Sequence, residues 1–290
     1  MINNPKVTVI CICYNHEKYV VEALNSVINQ TYNNIQLIIV DDFSSDNSIS
    51  TINDWIKVNP NTLFIENPTN LGVTKTFNNA FKYAEGDYII DFAADDVLLE
   101  NCIEKQIKAF QESKLENLAV VYSNINLVNE NQKYIATYYN SKSSPQSGDI
   151  YKMVIGMSEN ICSVGAMVKT NIFKSVGGYD ETLMYEDLDL WVRVSRHYNF
   201  KYIPDVLVKK RVLSNSLSSQ FLQKGKHSKR LHTSTLKILK KILQLNNSKH
   251  EYKVMLKRIR FEFFNFYKAK EYYLIIQLLL VALKARIKSL

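Results

Sequence analysis

Up to Ser123, short apolar and β-branched runs alternate with stretches whose apolar positions recur every three or four residues. Residues 6–13 (KVTVICIC) have the pattern of a buried strand, and 17–30, with Val20, Val21, Leu24, Val27 and Ile28 on one face, have helical spacing. The same reading gives strands at 35–40, 63–66, 88–92 and 118–122 and helices at 48–57, 74–84 and 100–110, with Asp46 or Asn47 available to cap the 48–57 helix. Strand alternating with helix predicts an α/β fold, a largely parallel sheet covered on both faces, with ligands at the carboxyl ends of its strands. After Ser123 the alternation stops. Residues 124–149 read as an irregular hairpin and polar loop, with SSPQSG at 143–148 the clearest loop composition. A further strand is expected at 162–169, a helix at 186–197, and basic helices from about residue 220.

Composition changes this picture mainly through charge. At 290 residues, 46% hydrophobic and 22% charged, the chain is globular in composition. It is long enough to bury roughly 75% of its unfolded surface without staples. The net charge of +8 divides unevenly: residues 220–290 carry 17 Lys and Arg against 3 Glu, a net +14, whereas 1–219 carry a net −6. This divides the chain into an acidic domain at 1–219 and a basic extension at 220–290. Cys11, Cys13, Cys102 and Cys162 match neither zinc nor redox spacing and read as small buried hydrophobes in a reducing compartment. The polar start gives no secretory signal pattern, so a cytoplasmic location is expected.

Three acidic pairs stand where chemistry is expected. Asp41 and Asp42 follow the 35–40 strand, so their carboxylates either receive a base N–H or ribose hydroxyl of a nucleotide, or leave Asp42 or Ser44 to cap the next helix. Asp95 and Asp96 follow the 88–92 strand. Adjacent carboxylates repel and call for a compensating cation, Mg or Mn shared with substrate phosphates, unless they are solvated turn residues. Glu186 and Asp187 open a helix whose packing face is Leu188, Trp191, Val192 and Ser195, a position that suits either helix-dipole pairing or catalysis.

Taken in order and at these intervals, VTVICICYN, the Asp41-Asp42 strand end, NLGVTKTFNNAFKYAEGDYI, AADD and VGGYDETLMYEDLDLWVR resemble glycosyltransferase family 2 on the GT-A nucleotide-sugar fold, over about residues 6–218. The resemblance implies an inverting, metal-dependent transferase that moves a sugar from a UDP- or dTDP-sugar to a hydroxyl of a saccharide or lipid-linked saccharide. Bacterial surface polysaccharide assembly is the implied setting. It implies that Tyr14 flanks the base, Asp42 bonds it, Asp95 touches ribose or metal-bound water, and Asp96 holds the Mg or Mn. Asp187 is implied as general base with Glu186 beside it, and Asn70, Gly72 and Asn78 as the donor-side segment. Three departures stand out: Ile12-Cys13 before Tyr14, Phe77 where Arg is frequent, with Lys75 as substitute, and Leu213 where a metal-binding His is frequent. Arg211 and Ser214 remain as diphosphate contacts.

The extension is amphipathic at 236–245 and 255–290, and its longest apolar run, YYLIIQLLLVAL at 272–283, is shorter than the ~20 residues of a membrane span. It either lies on an anionic membrane surface, making the protein peripheral on the inner face of the plasma membrane, or packs on the catalytic domain or a second subunit in a homodimer. Nucleic acid is not an expected partner, because the front is acidic and no binding motif is present. No GxGxxG or GxxxxGK[ST] occurs, which argues against dehydrogenases and P-loop enzymes. A non-catalytic nucleotide-sugar-binding homologue is the alternative that Phe77 and Leu213 leave open.

Overall fold

A computed structural model describes residues 4–140, 145–156, 161–213 and 225–290. Ser214 and part of the predicted 143–148 loop lie outside the described residues. The front half is β1 (Val7–Cys13), α1 (Val20–Ile28), β2 (Ile35–Asp41), α2 (Ser48–Val58), β3 (Leu63–Glu66), α3 (Val73–Phe81), β4 (Tyr88–Ala93), β5 (Val97–Leu98) and α4 (Cys102–Glu112). There follow β6 (Leu118–Val128), β7 (Tyr134–Thr137), α5 (Tyr151–Gly156), β8 (Met167–Lys169), α6 (Thr170–Ser175), α7 (Asp187–Ser195) and β9 (Asn199–Arg211). The chain continues through α8 (Lys226–Leu245), α9 (Lys249–Lys268) and α10 (Tyr272–Lys288).

One sheet runs β3-β2-β1-β4-β8-β6-β9-β5, with β7 paired to β6. The pairs β3/β2, β2/β1 and β1/β4 are parallel, as is β6/β9, while β8 joins the two halves by antiparallel pairing to β4 and β6. The fold is α/β, as the sequence pattern predicts, but the sheet is mixed rather than largely parallel, its antiparallel pairs each involving a strand of the second half. Its period-2 alternation sends Val7, Val9, Cys11 and Cys13 to a core under α1, α2 and α4. Ile10, Ile38 and Val40 point to the other face, under α3 and the later helices. All four cysteines are buried and free.

The structure departs from the pattern reading in the second half. The 118–122 strand continues to Val128, and a thirteen-residue strand, β9, follows α7. Nor does the charge break near residue 220 separate two cores. Leu239, Ile242, Met255 and Ile259 belong to the same buried cluster as Tyr151, Leu190 and Trp191. No described helix is long and apolar enough to cross a membrane.

Candidate active site

Strands β1, β2 and β4 end at the same edge, because Cys13 pairs with Asp41 and Ile12 with Ala93. Their carboxyl ends bring together Tyr14, Asp42 and the turn carrying Asp95 and Asp96. Tyr14 is 46% exposed, and Phe43, on the neighbouring strand end, is 55% exposed with a φ of 67°. A bulky residue in the left-handed region is strained by roughly 1–2 kcal/mol. Asn15 and Glu17 tie the β1 loop to this segment, Asn15 Oδ1 accepting from Ser45 N at 2.7 Å and Glu17 Oε2 from Asn47 N at 2.8 Å. Asp46 serves the start of α2, its Oδ1 accepting from Ser48 N at 2.9 Å; the carboxylate of Asp41 holds its own turn through Ser44.

Asp42 is buried and organises the segment that follows β3. Its Oδ1 accepts from Asn67 Nδ2 (2.8 Å), Leu71 N (2.9 Å) and Thr76 Oγ1 (2.8 Å), and its Oδ2 accepts from Gly72 N (2.9 Å). Crowding three donors on Oδ1 and one on Oδ2 leaves acceptor capacity on Oδ2 alone. Gly72 has φ 81° with no atom within 4 Å of a hypothetical Cβ, so its backbone conformation is what demands glycine. Asn70 donates to Asp42 O at 3.2 Å, and Lys75 is exposed and unpaired among the described residues.

Two expected donor contacts have other occupations. Asn78 bridges α3 to the turn before α7, its Nδ2 donating to Tyr179 O at 2.9 Å and its Oδ1 accepting from Tyr179 N at 3.1 Å. Arg211, with 2% of its side chain exposed, donates from Nε to Asp95 O (2.9 Å), from Nη1 to Glu130 O (3.0 Å) and from Nη2 to Glu22 (2.9 Å), and lies over the Tyr19 ring. Its guanidinium is engaged within the protein, and its backbone N–H donates to Asp96 Oδ1 at 2.8 Å. Arg211 shapes the Asp95-Asp96 turn. Phe77 is a core residue, packed edge-on against Phe173 and Tyr179, while Lys75 lies exposed on the same helix.

Burial and the neighbouring Asp95 push the Asp96 carboxyl well above the usual carboxylate range. Asp96 Oδ2 has no partner among the described residues. His16 Nδ1 is buried without a hydrogen-bond partner, 4.0 Å from Asp95 Oδ1. Among the described residues no three His, Cys, Asp or Glu side chains converge on one point. Two adjacent carboxylates at a strand end, Asp96 with one oxygen uncommitted, nevertheless fit a hard divalent ion, which takes one or two protein carboxylates and completes its shell with phosphate and water.

Glu186 and Asp187 begin α7. Burial raises both carboxyls; for Asp187 the effect is opposed by its own helix N–H at Leu188 and by Lys210 and Arg258. Nearby Asp91 on β4 accepts from Tyr179 Oη at 2.8 Å and is pushed up to about 7, chiefly by burial. Lys210 decides how the two sets relate. It makes no hydrogen bond or ion pair among the described residues, yet its ammonium interacts with Asp96, Asp187 and Asp95 together, an attraction that outweighs burial and raises its pKa. Burial chiefly raises the Cys162 thiol, with Lys210 opposing and repulsion from Asp96 and Asp187 adding to the rise. Lys210, on β9, is therefore within electrostatic reach of both carboxylate sets.

The sequence model described as glycosyl transferase family 2 matches residues 8–175, more than half of the chain. The chain belongs to glycosyl transferase family 2. This glycosyltransferase is 28% identical over 234 residues to an uncharacterized glycosyltransferase of Haemophilus influenzae, covering 76% of this chain and 70% of that one. It is 40% identical over 111 residues to the minor teichoic acid biosynthesis protein GgaB of Bacillus subtilis, covering 38% of this chain and 12% of that one. Two solved structures share its fold. TarS 1-349 of S. aureus in complex with UDP-GlcNAc has a TM-score of 0.74 at 19% identity, covering 97% of this chain and 81% of that one. The Pyrobaculum calidifontis mannosyltransferase PcManGT, in complex with GDP-Man and Mn2+, has a TM-score of 0.63 at 16% identity, covering 99% and 74%.

Motif reading of the glycosyltransferase missed His16, Phe43, Asp91, Tyr179 and Lys210. A signal existed for Lys210, which falls in phase with buried Val208 and so interrupts an inward-facing apolar row.

Proposed function

We propose that this glycosyltransferase moves a sugar from a UDP- or dTDP-sugar to a hydroxyl of a saccharide or lipid-linked saccharide, with inversion and with a divalent cation, in surface polysaccharide assembly. The observation that carries the reading is the charge of Lys210, which acts on Asp95, Asp96 and Asp187 from beside Arg211, whose backbone N–H donates to Asp96 Oδ1 at 2.8 Å. The UDP-GlcNAc complex of TarS and the name of GgaB support the donor and the setting. Tyr14 and Phe43 flank the base, and the spare acceptor site on Asp42 Oδ2 receives its N–H. Asp96 would hold the Mg or Mn, with Asp95 touching ribose or metal-bound water, and the ion would supply Lewis-acid charge neutralisation to the departing diphosphate. Lys210 adds a fixed positive charge to the same region.

Asp187 accepts the acceptor's hydroxyl proton as that oxygen bonds to the anomeric carbon. The carbon–oxygen bond to the diphosphate breaks with its electron pair leaving on the nucleotide, and a single displacement inverts the centre. Glu186 orients the hydroxyl groups nearby. Because burial raises the Asp187 carboxyl, the base is lost by protonation as pH falls, and the acid limb of kcat/KM is expected above the ordinary carboxylate value of about 4. The test is a panel of UDP-, dTDP- and GDP-sugars with Mn, Mg or EDTA, with product configuration read by NMR. Asp187→Asn should lower kcat by about 10²- to 10⁴-fold with donor binding kept, and Asp96→Asn should abolish the metal response. Turnover at the wild-type rate in both variants would remove the assignment.

A further inference from the structure

The helix α10 is apolar on two opposite faces. Leu274, Ile275, Leu278, Val281 and Ala285 are buried against α8 and α9. Tyr272, Tyr273, Ile276, Leu279, Leu280, Leu283, Ile287 and Leu290 are each more than half exposed. At 3.6 residues per turn these eight fall within an arc of about 120° on the side away from the core. A helix apolar all round is ordinarily buried all round. Its outer face is extended by α9, where Phe261, Phe264 and Tyr267 are exposed and the Tyr267 ring lies 6.5 Å from that of Tyr272.

The exposed charges flanking the stripe are basic, and Glu271, at the start of the helix, is partly buried. Lys284 and Lys288 lie along one flank of the stripe and Arg286 along the other, and Lys253, Lys257, Arg260 and Lys268 are exposed on α9. Between α8 and α10, a hollow lined by Leu243, Gln244, Lys284, Ile287 and Lys288 sets two lysines beside apolar walls. A second copy of the chain docking symmetrically would bring the same basic rim against itself, within a segment of net +14. An anionic bilayer offers the opposite charge to the rim and hydrocarbon to the stripe, and tyrosines suit its interface.

We propose that the outer face of α10, together with the aromatic edge of α9, lies on an anionic lipid bilayer, with the helix axis parallel to the membrane. This surface does not depend on the donor chemistry proposed above.

The full chain is tested by flotation with vesicles of phosphatidylcholine alone or containing phosphatidylglycerol, at 0.1 M salt. The expected result is binding at least tenfold tighter to the phosphatidylglycerol vesicles. It should be lost in Ile276→Ser/Leu280→Ser/Leu283→Ser and weakened tenfold or more in Lys284→Gln/Arg286→Gln/Lys288→Gln. The substituted side chains are on the solvent side, so thermal melts and nucleotide binding by calorimetry should match wild type, which separates failure of this surface from failure of the donor site. Equal affinity for both vesicle types, no binding to either, or wild-type binding by the serine variant would overturn the proposal. So would a solution dimer, in sedimentation velocity, that the serine variant dissociates.

Discussion

At the scale of single residues, the strand ends that carry Tyr14, Asp42 and Phe43 are held by side-chain hydrogen bonds, and Phe43 there takes a left-handed backbone. Asp42 could be placed at a strand end from sequence. That its carboxylate also gathers Asn67, Leu71, Gly72 and Thr76 depends on a loop that pattern cannot draw. Arg211 and Asn78 were legible as polar residues in motifs, yet both hold turns in place, because each meets backbone groups from segments far away in sequence. Phe43 gives a prediction in which stability and binding move in opposite directions. Its left-handed backbone costs roughly 1–2 kcal/mol, and glycine adopts the same φ freely. A stacking ring contributes about 1–3 kcal/mol to holding a base. Phe43→Gly is therefore expected to unfold at equal or higher denaturant concentration than wild type while its donor Kd rises about fivefold or more. Unchanged donor affinity in calorimetry would show that the ring has no part in binding.

At the scale of elements, the front half was legible because its central strands β1, β2 and β4 are largely buried on both faces and its helices carry an apolar stripe. β9 was not, since Pro204 and Asp205 bulge out between the pairs Ser123↔Ile203 and Asn124↔Val206 and break its alternation. Missing that strand also hid Lys210, which β9 carries to the carboxylates. A second long-range device joins α8 to the helix of the proposed base. Lys241 Nζ donates to Asp180 Oδ2 and Asp189 Oδ1, both at 2.6 Å, and Arg193 Nε donates to Asp189 Oδ2 at 2.8 Å. Asp189 is 1% exposed, so Lys241→Met leaves it with Arg193 alone and is expected to cost about 1–3 kcal/mol in urea unfolding at pH 7. Burial would raise the Asp180 carboxyl, but the Lys241 and Thr182 bonds hold it at about 2. A depressed folded pKa contributes stability above the unfolded value of about 4. The Asp180 share of the difference between Lys241→Met and wild type should therefore shrink as pH falls from about 4 toward 2. A difference independent of pH across that window would remove Asp180 from the account.

At the scale of the whole molecule, the composition break at residue 220 marks a change in charge, while the packing continues across it. Tyr151 Oη donates to Asn246 Oδ1 at 2.8 Å, Arg196 pairs with Glu251 at 2.8 Å, and Tyr185 and Thr235 exchange a hydrogen bond at 2.8 Å. Arg258 of α9 also acts on Asp187, lowering its pKa against the effect of burial, so the helix that borders the exposed apolar surface also reaches the proposed base. Charge pattern could not reveal this, because the residues that make the junction are tyrosines, leucines and isoleucines whose partners lie on distant segments. A chain with one shared core is expected to unfold as one unit. Calorimetry of the full chain should give a single transition with matching calorimetric and van't Hoff enthalpies. A fragment ending at residue 219 would expose the faces of α5 and α7 that Leu239, Met255 and Ile259 now cover, and would leave Arg196 without its partner. It is expected to lose cooperative unfolding and to aggregate. A soluble 1–219 fragment that melts cooperatively and keeps the nucleotide affinity of the full chain would show that the basic helices are dispensable to the catalytic fold.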